Sequence, residues 1–230
     1  MKGLKKITKQ SEFYVFLLIV VLSIIIQMRS GLFFANNNIV DIVRSMIVPC
    51  IYALCAFLAF ISTGPDVSFP LIAALSSYLA IVVTYKTGYD GPWILVFLIG
   101  MVFGGIMGAL NGFIIVKYKF ASLIVTLGTS SIFSGILLGA FEAERMDLPD
   151  TLQRFGKASL LTVKNAKTGL GSTLPMTFLI MIVLYIITYL VLNYTMVGRG
   201  VYAIGGDEIS AERAGFPVKK IRFGIFVING

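Results

Sequence analysis

Residues Gly91–Val116 read GPWILVFLIGMVFGGIMGALNGFIIV, with no Asp, Glu, Lys or Arg in the run. About 20 apolar residues suffice to carry a helix across the ~30 Å hydrocarbon core of a bilayer, so this stretch is a complete spanning helix. It sets the rhythm for the rest of the chain. Outward from it lie four more charge-free runs of full length: Ser45–Pro65, Val67–Tyr85, Phe120–Phe141 and Thr168–Gly198. Phe13–Met28 is shorter but strongly apolar. These six runs predict an all-α, polytopic transmembrane helix bundle in one domain, 1–230. A seventh run, Phe223–Gly230, is too short to cross a bilayer at 1.5 Å per residue. It reads as the start of a seventh span, and the chain is expected to be part of a longer protein.

The composition agrees. Of 230 residues, 57% are apolar and 13% charged, against ~45–50% and ~25% in an ordinary soluble domain. There is no histidine, which removes histidine acid–base catalysis and histidine metal sites. Cys50 and Cys55 lie in one apolar run, fit no zinc spacing, and read as buried thiols. The net charge of +8 sits between apolar runs, so it reflects membrane orientation and not nucleic-acid binding.

Lys2, Lys5, Lys6 and Lys9 precede the first run. A signal peptide would show a small-residue cleavage site after it, but Gln27, Met28 and Arg29 stand there. A retained first helix with a cytoplasmic N-terminus is the better reading. Alternation then places eleven basic residues inside, including Lys117, Lys119 and those of 199–222. Eight fall outside, five of them in the one long loop, 142–167. The positive-inside bias is clear among the short connections.

Within the fourth span, Gly100, Gly104, Gly108 and Gly112 stand four apart, and Gly135 and Gly139 continue the pattern in the next span. Such a ladder makes a smooth helix face that another helix can approach closely, so these glycines are expected to pack helices together. Asn111, beside Gly112, is either a helix-to-helix hydrogen bond or a pathway residue, because a buried amide is costly unless bonded. Asp66 is the sole acid in Ser45–Tyr85 and is flanked by Gly64, Pro65, Ser68 and Pro70. The prolines break the helix. The break either exposes backbone groups that bind a polar solute or partner, or leaves Asp66 at the water interface as a helix cap. The block TMVGRGVYAIGGDEISAERAGFPVKKIR (Thr195–Arg222) is polar. Asp207 reads as the cap of a short helix that ends at Gly215 and Pro217. So short a helix needs a partner surface to be stable, unless the block is a solvated loop.

Two segments carry a family resemblance. GGIMGALNGFIIVKYKFASLIVTLGTSSIFSGILLGA (Gly104–Ala140) resembles the permease subunits of ribose-type sugar ABC importers at Gly104, Gly108, Asn111, Gly112, Thr126, Leu127, Gly128, Thr129 and Gly135. The cytoplasmic block resembles their conserved loop at Thr195, Gly198, Arg199, Tyr202, Ala203, Gly205, Gly206 and Gly215. TGPDVSFP, from Thr63, is one residue shorter than the family's version. Asp207 stands in place of an asparagine, and Glu212 in place of an arginine.

The resemblance implies a membrane subunit of an ATP-driven monosaccharide importer. It has no catalytic site and binds no metal or cofactor, since ATP sits on partner ATPase subunits. The implied partners are cytoplasmic ABC ATPases, an extracellular sugar-binding protein, a second permease subunit and the lipid bilayer. ATPase docking is expected at Gly205, Gly206, Asp207, Glu208, Arg213 and Gly215. The substrate pathway is expected at Asn111, Thr126, Thr129, Ser130, Ser134, Asp66 and Ser68. Hydroxyls and amides there suit a neutral polyol. Branched-chain amino acids, nucleosides or a furanosyl signalling molecule are alternative cargoes. A secondary carrier is a further alternative, disfavoured by the scarcity of charge in the spans.

Overall fold

The computed structural model describes residues 11–141, 148–165 and 169–230. Lys2, Lys5, Lys6, Lys9, Arg145 and Lys167, on which part of the orientation argument rests, lie outside the described residues, as does part of the long loop. The described residues form two compact units, one within 11–46 and 159–175, the other within 47–158 and 176–230.

In the first unit, helix α1 (Ser11–Ser30) turns its apolar side chains outward; Phe16, Leu18 and Ile25 are each at least half exposed. A helix apolar on every side is suited to lipid. Gly31, at φ +66°, ends it. Helix α2 (Asn36–Phe60) starts in this unit, nine residues before the charge-free run. Asp41 and Arg44 lie in its first turns. A two-stranded antiparallel hairpin, β1 (Ser159–Lys164) and β2 (Gly171–Pro175), meets that helical start. Ser172 Oγ donates to Asp41 (2.7 Å) and Asn165 Nδ2 donates to Asn37 Oδ1 (2.9 Å). The expected loop over 142–167 thus contains a strand, and also a short helix, Asp150–Lys157.

The second unit holds the bundle: the rest of α2, α3 (Phe69–Thr87), α4 (Trp93–Tyr118), α5 (Ser122–Gly135), α6 (Asp150–Lys157), α7 (Thr177–Tyr194), α8 (Met196–Gly206), α9 (Glu208–Arg213) and α10 (Val218–Asn229). A π-helical turn, Ile136–Ala140, continues α5. Among the described residues six helices are long and apolar enough to cross a membrane, and the protein is a multi-pass membrane protein. The last apolar run is part of a longer helix than expected. α10 begins at Val218 and takes Lys219, Lys220 and Arg222 into its first turns.

The glycine ladder positions α10. A Cβ at Gly104 would overlap the carbonyl of Gly230, and one at Gly108 the carbonyl of Phe226. At Gly112 it would lie 3.1 Å from Phe226 Cβ and 3.2 Å from the Phe223 ring. Only glycine permits so close a backbone approach. Gly100 faces α3, with Ala80 Cβ at 3.8 Å from an added Cβ. Gly135 and Gly139 differ from the ladder on α4: within this chain an added Cβ meets nothing within 4 Å at either. They lie where α5 gives way to the π turn, on an exposed face.

Candidate functional site

Between α2 and α3 the backbone leaves helical form over 61–68. Pro65 and Pro70 enforce this, since neither can donate a helical hydrogen bond, and Gly64 takes φ +118°. Backbone groups freed inside a membrane protein need internal partners. Here α5 supplies them. Ser122 Oγ donates to Pro65 O (2.8 Å), Thr126 Oγ1 accepts from Val67 N–H (3.4 Å), and Ser130 Oγ donates to Val67 O (3.2 Å). Ser122, Thr126 and Ser130 are four apart and therefore share one helix face. The break thus binds its own neighbour helix, where the bare sequence suggested groups open to a solute.

Asp66 is buried, 5% exposed, and is not the interfacial cap of α3. Its Oδ1 accepts from Ser68 N–H (2.8 Å) and Ser68 Oγ–H (2.7 Å). Ser68 itself occupies the cap position of α3, with no side-chain capping bond. Asn111 Nδ2 on α4 donates to Ser68 Oγ (2.8 Å). The amide therefore joins α4 to the break. Its Oδ1 is buried without a hydrogen-bond partner. An unpaired buried acceptor is costly, and with Asn111 0% exposed it is closed to a solute in this conformation.

Five of the seven expected pathway residues, Asp66, Ser68, Asn111, Thr126 and Ser130, thus surround one break at one end of α4 and α5. Thr129 is buried but bonds back to Val125 O (3.1 Å) within its own helix. Ser134 lies a turn beyond, half-buried. Sequence reasoning omitted Ser122, although its four-residue spacing from Thr126 was available. It also omitted Asn229, whose Nδ2 donates to Cys55 O (3.1 Å), although an amide in the last apolar run was a visible signal.

The expected docking residues follow in chain order. Gly205 and Gly206 end α8. A Cβ at Gly205 would overlap the carbonyl of Ile61, so α8 rests on the same break. Asp207 caps α9, accepting from Ser210 N–H (2.9 Å) and from Ser210 Oγ. The Ser210 hydroxyl, and then its N–H, hold the Asp207 carboxyl below its ordinary value. Glu208 pairs with Arg222 of α10 at 2.8 Å. Arg213 is exposed, and Gly215, at φ +86°, makes the turn toward α10. α9 is not isolated. Ala211 joins Leu192, Val201, Ile204, Val218, Ile221 and Ile225 in one apolar core, against which Leu58 and Ile61 pack. Its outer side, with Ile209 61% exposed, stays open.

The family model described as branched-chain amino acid transport system / permease component matches residues 38–230. The ribose import permease protein RbsC of Haemophilus influenzae is 27% identical over 94% of this chain and 64% of its own length. The D-allose transport system permease protein AlsC of Escherichia coli is 29% identical, over 94% and 62%. The autoinducer 2 import system permease protein LsrC of Klebsiella pneumoniae is 26% identical, over 99% and 62%. The chain spans a little under two thirds of the length of these relatives. No solved structure gives a significant match.

Proposed function

Because this chain belongs to the branched-chain amino acid transport system / permease component family, we propose that it is the membrane-spanning permease of an ATP-driven importer for a monosaccharide. The observation that carries this reading is the cluster at the 61–68 break. Hydroxyls and an amide surround it, its one carboxylate is already satisfied by Ser68, and one buried acceptor, Asn111 Oδ1, has no partner. In this conformation α5 closes the cluster; parting of the break from α5 opens hydroxyls and an amide that can exchange hydrogen bonds with a neutral polyol, with no unpaired charge for an ion. The names of the ribose and allose permeases support the same cargo class.

In this reading the N-terminus is cytoplasmic and 142–167 extracellular. The meeting of 61–68, the start of α5 and the end of α8 at one end of the bundle supports the alternation of the spans, and the basic residues of 117–119 and 199–222 make that end the cytoplasmic one. Parity puts all three connections on the same side. A cytoplasmic ATPase docks on the outer side of α9, an extracellular binding protein delivers the sugar, and a second permease subunit completes the pathway. Chemistry is left to the ATPase.

The test is uptake of labelled monosaccharides by cells with and without this gene. The panel includes a branched-chain amino acid and autoinducer 2. Loss of uptake of one sugar, restored by the gene and abolished by charge reversal at Asp207 and Glu208, is expected. Uptake indifferent to that charge reversal would sink the importer reading, and loss confined to another cargo would reassign the substrate.

A further inference from the structure

Two hollows adjoin along α4 and α10, outside the 61–68 cluster. One, of about 450 Å³, is bordered by Lys117, Lys119, Lys219 and Lys220 together with Phe113 and Phe223. The other, of about 420 Å³, shares Phe113 and Phe223 and continues along α4 past Leu110 to Ile106, with an entirely apolar lining. The four lysines come from the end of one helix and the start of another. Among the described residues no carboxylate lies within 4.0 Å of any of them. The nearby Arg222 differs, being tied to Glu208. Lys117 Nζ is held over the Phe113 ring, 4.9 Å from its centroid, at the junction of the two hollows.

Four like charges gathered without a counter-charge repel one another unless an anion joins them. The dimensions say which anion. From Lys117 to Ile106 the helix rises about 16 Å, close to half the ~30 Å hydrocarbon core. A basic mouth at the end of a spanning helix, opening onto an apolar trough one leaflet deep, matches a headgroup phosphate with an acyl chain below it. A soluble phosphate would leave the trough empty, and an acidic peptide would not follow a helix into the membrane core.

We propose that the α4–α10 groove is a binding site for an anionic phospholipid, its phosphate held by Lys117, Lys119, Lys219 and Lys220 and one acyl chain lying along Phe113, Phe223, Leu110 and Ile106. Charge count assigns this end of α4 to the cytoplasmic side, where basic clusters at spanning helices meet anionic headgroups. The site requires only that the chain spans a membrane and is independent of the cargo.

Native mass spectrometry of the purified full chain tests it, with phosphatidylglycerol and phosphatidylcholine of identical acyl chains as probes. At least a tenfold preference for phosphatidylglycerol is expected. It should fall roughly tenfold or more in K117Q/K119Q and in K219Q/K220Q, and persist in K86Q, on another helix. Leu110→Ser should weaken both lipids while keeping the preference, and excess inorganic phosphate should displace neither. Equal retention of the two lipids overturns the proposal. So does displacement by inorganic phosphate, which would mark a plain anion site. A dimer whose groove takes up lipid only after dissociation also overturns it, by making a second copy the occupant.

Discussion

Ser68 stands at the centre of the buried cluster. Its N–H and Oγ–H both serve Asp66, and its Oγ accepts from Asn111. Ser68→Ala therefore leaves two groups short: the carboxylate loses one donor and the amide its acceptor. Breaking a buried bond and stranding its partner costs about 1–3 kcal/mol. Ser68→Ala and Asn111→Ala should each lower stability in detergent by that amount. The double variant should cost little more than either alone, because both remove the same connection. Ser131→Ala, whose exposed hydroxyl bonds only to Leu127 O, should stay within about 0.5 kcal/mol. Thermal unfolding of the four proteins reads this out, and additive losses would show that Ser68 and Asn111 are not one unit. The sequence offered each of these residues singly. It did not show that Asn111 meets Ser68, because they are forty-three positions apart, with all of α3 and most of α4 between them.

At the scale of elements, the ladder on α4 makes a directional prediction. Gly104→Ala and Gly108→Ala drive a methyl into the backbone of α10, and overpacking of this kind costs about 1–3 kcal/mol. Gly135→Ala and Gly139→Ala meet open space and should be neutral or slightly stabilising, as alanine is the better helix former. Thermal stability of the four variants separates the two pairs. Helix α9 makes a second prediction. Asp207 has a depressed carboxyl through its bonds to Ser210. The cap's contribution is therefore fully present above the ordinary carboxylate value and is lost as pH falls through the lowered one. Asp207→Ala should speed hydrogen exchange at 208–213 at neutral pH and remove that pH dependence. Asp207→Asn keeps a capping oxygen and should protect α9 without titrating. Equal exchange in all three proteins would show that the cap does not hold the helix. Charge-free runs located the spans but not their ends. Asp41, Arg44, Lys219 and Lys220 sit inside helices because charged residues are tolerated in end turns that reach water. The hairpin is not legible from charge-free runs because its strands are only six and five residues long, although Asn165, Gly169 and Gly171 are turn-forming residues. α8 was hidden in what read as a polar loop; its glycines, Gly198, Gly200 and Gly205, are the places where other backbone or side chains come close.

At the scale of the whole bundle, α8 and the 61–68 break are in direct contact. Gly205 lies against the carbonyl of Ile61, and Ile61 and Leu58 pack on the core that also holds Ala211 of α9. Packed side chains and one backbone contact thus run from α9 to the backbone that carries Asp66 and Ser68. No residue pattern announced this contact, since it joins positions far apart in the chain through the backbone alone. If the protein imports its cargo as proposed, this contact transmits the partner's stroke, and coupling through it can fail while docking survives. Gly205→Ala adds a methyl that Ile61 cannot yield to without moving the break. A misfit of 1–3 kcal/mol between two states shifts their balance by about fivefold to 150-fold. Uptake should fall by at least about fivefold. The outer side of α9, where Ile209 is exposed, should still capture the ATPase. Gly224→Ala, where an added Cβ meets nothing within 4 Å, should leave both intact. Uptake assays beside affinity capture of the ATPase decide the matter. Normal uptake in Gly205→Ala would show that force does not pass through this contact, and joint loss of uptake and capture would place Gly205 in docking and not in transmission.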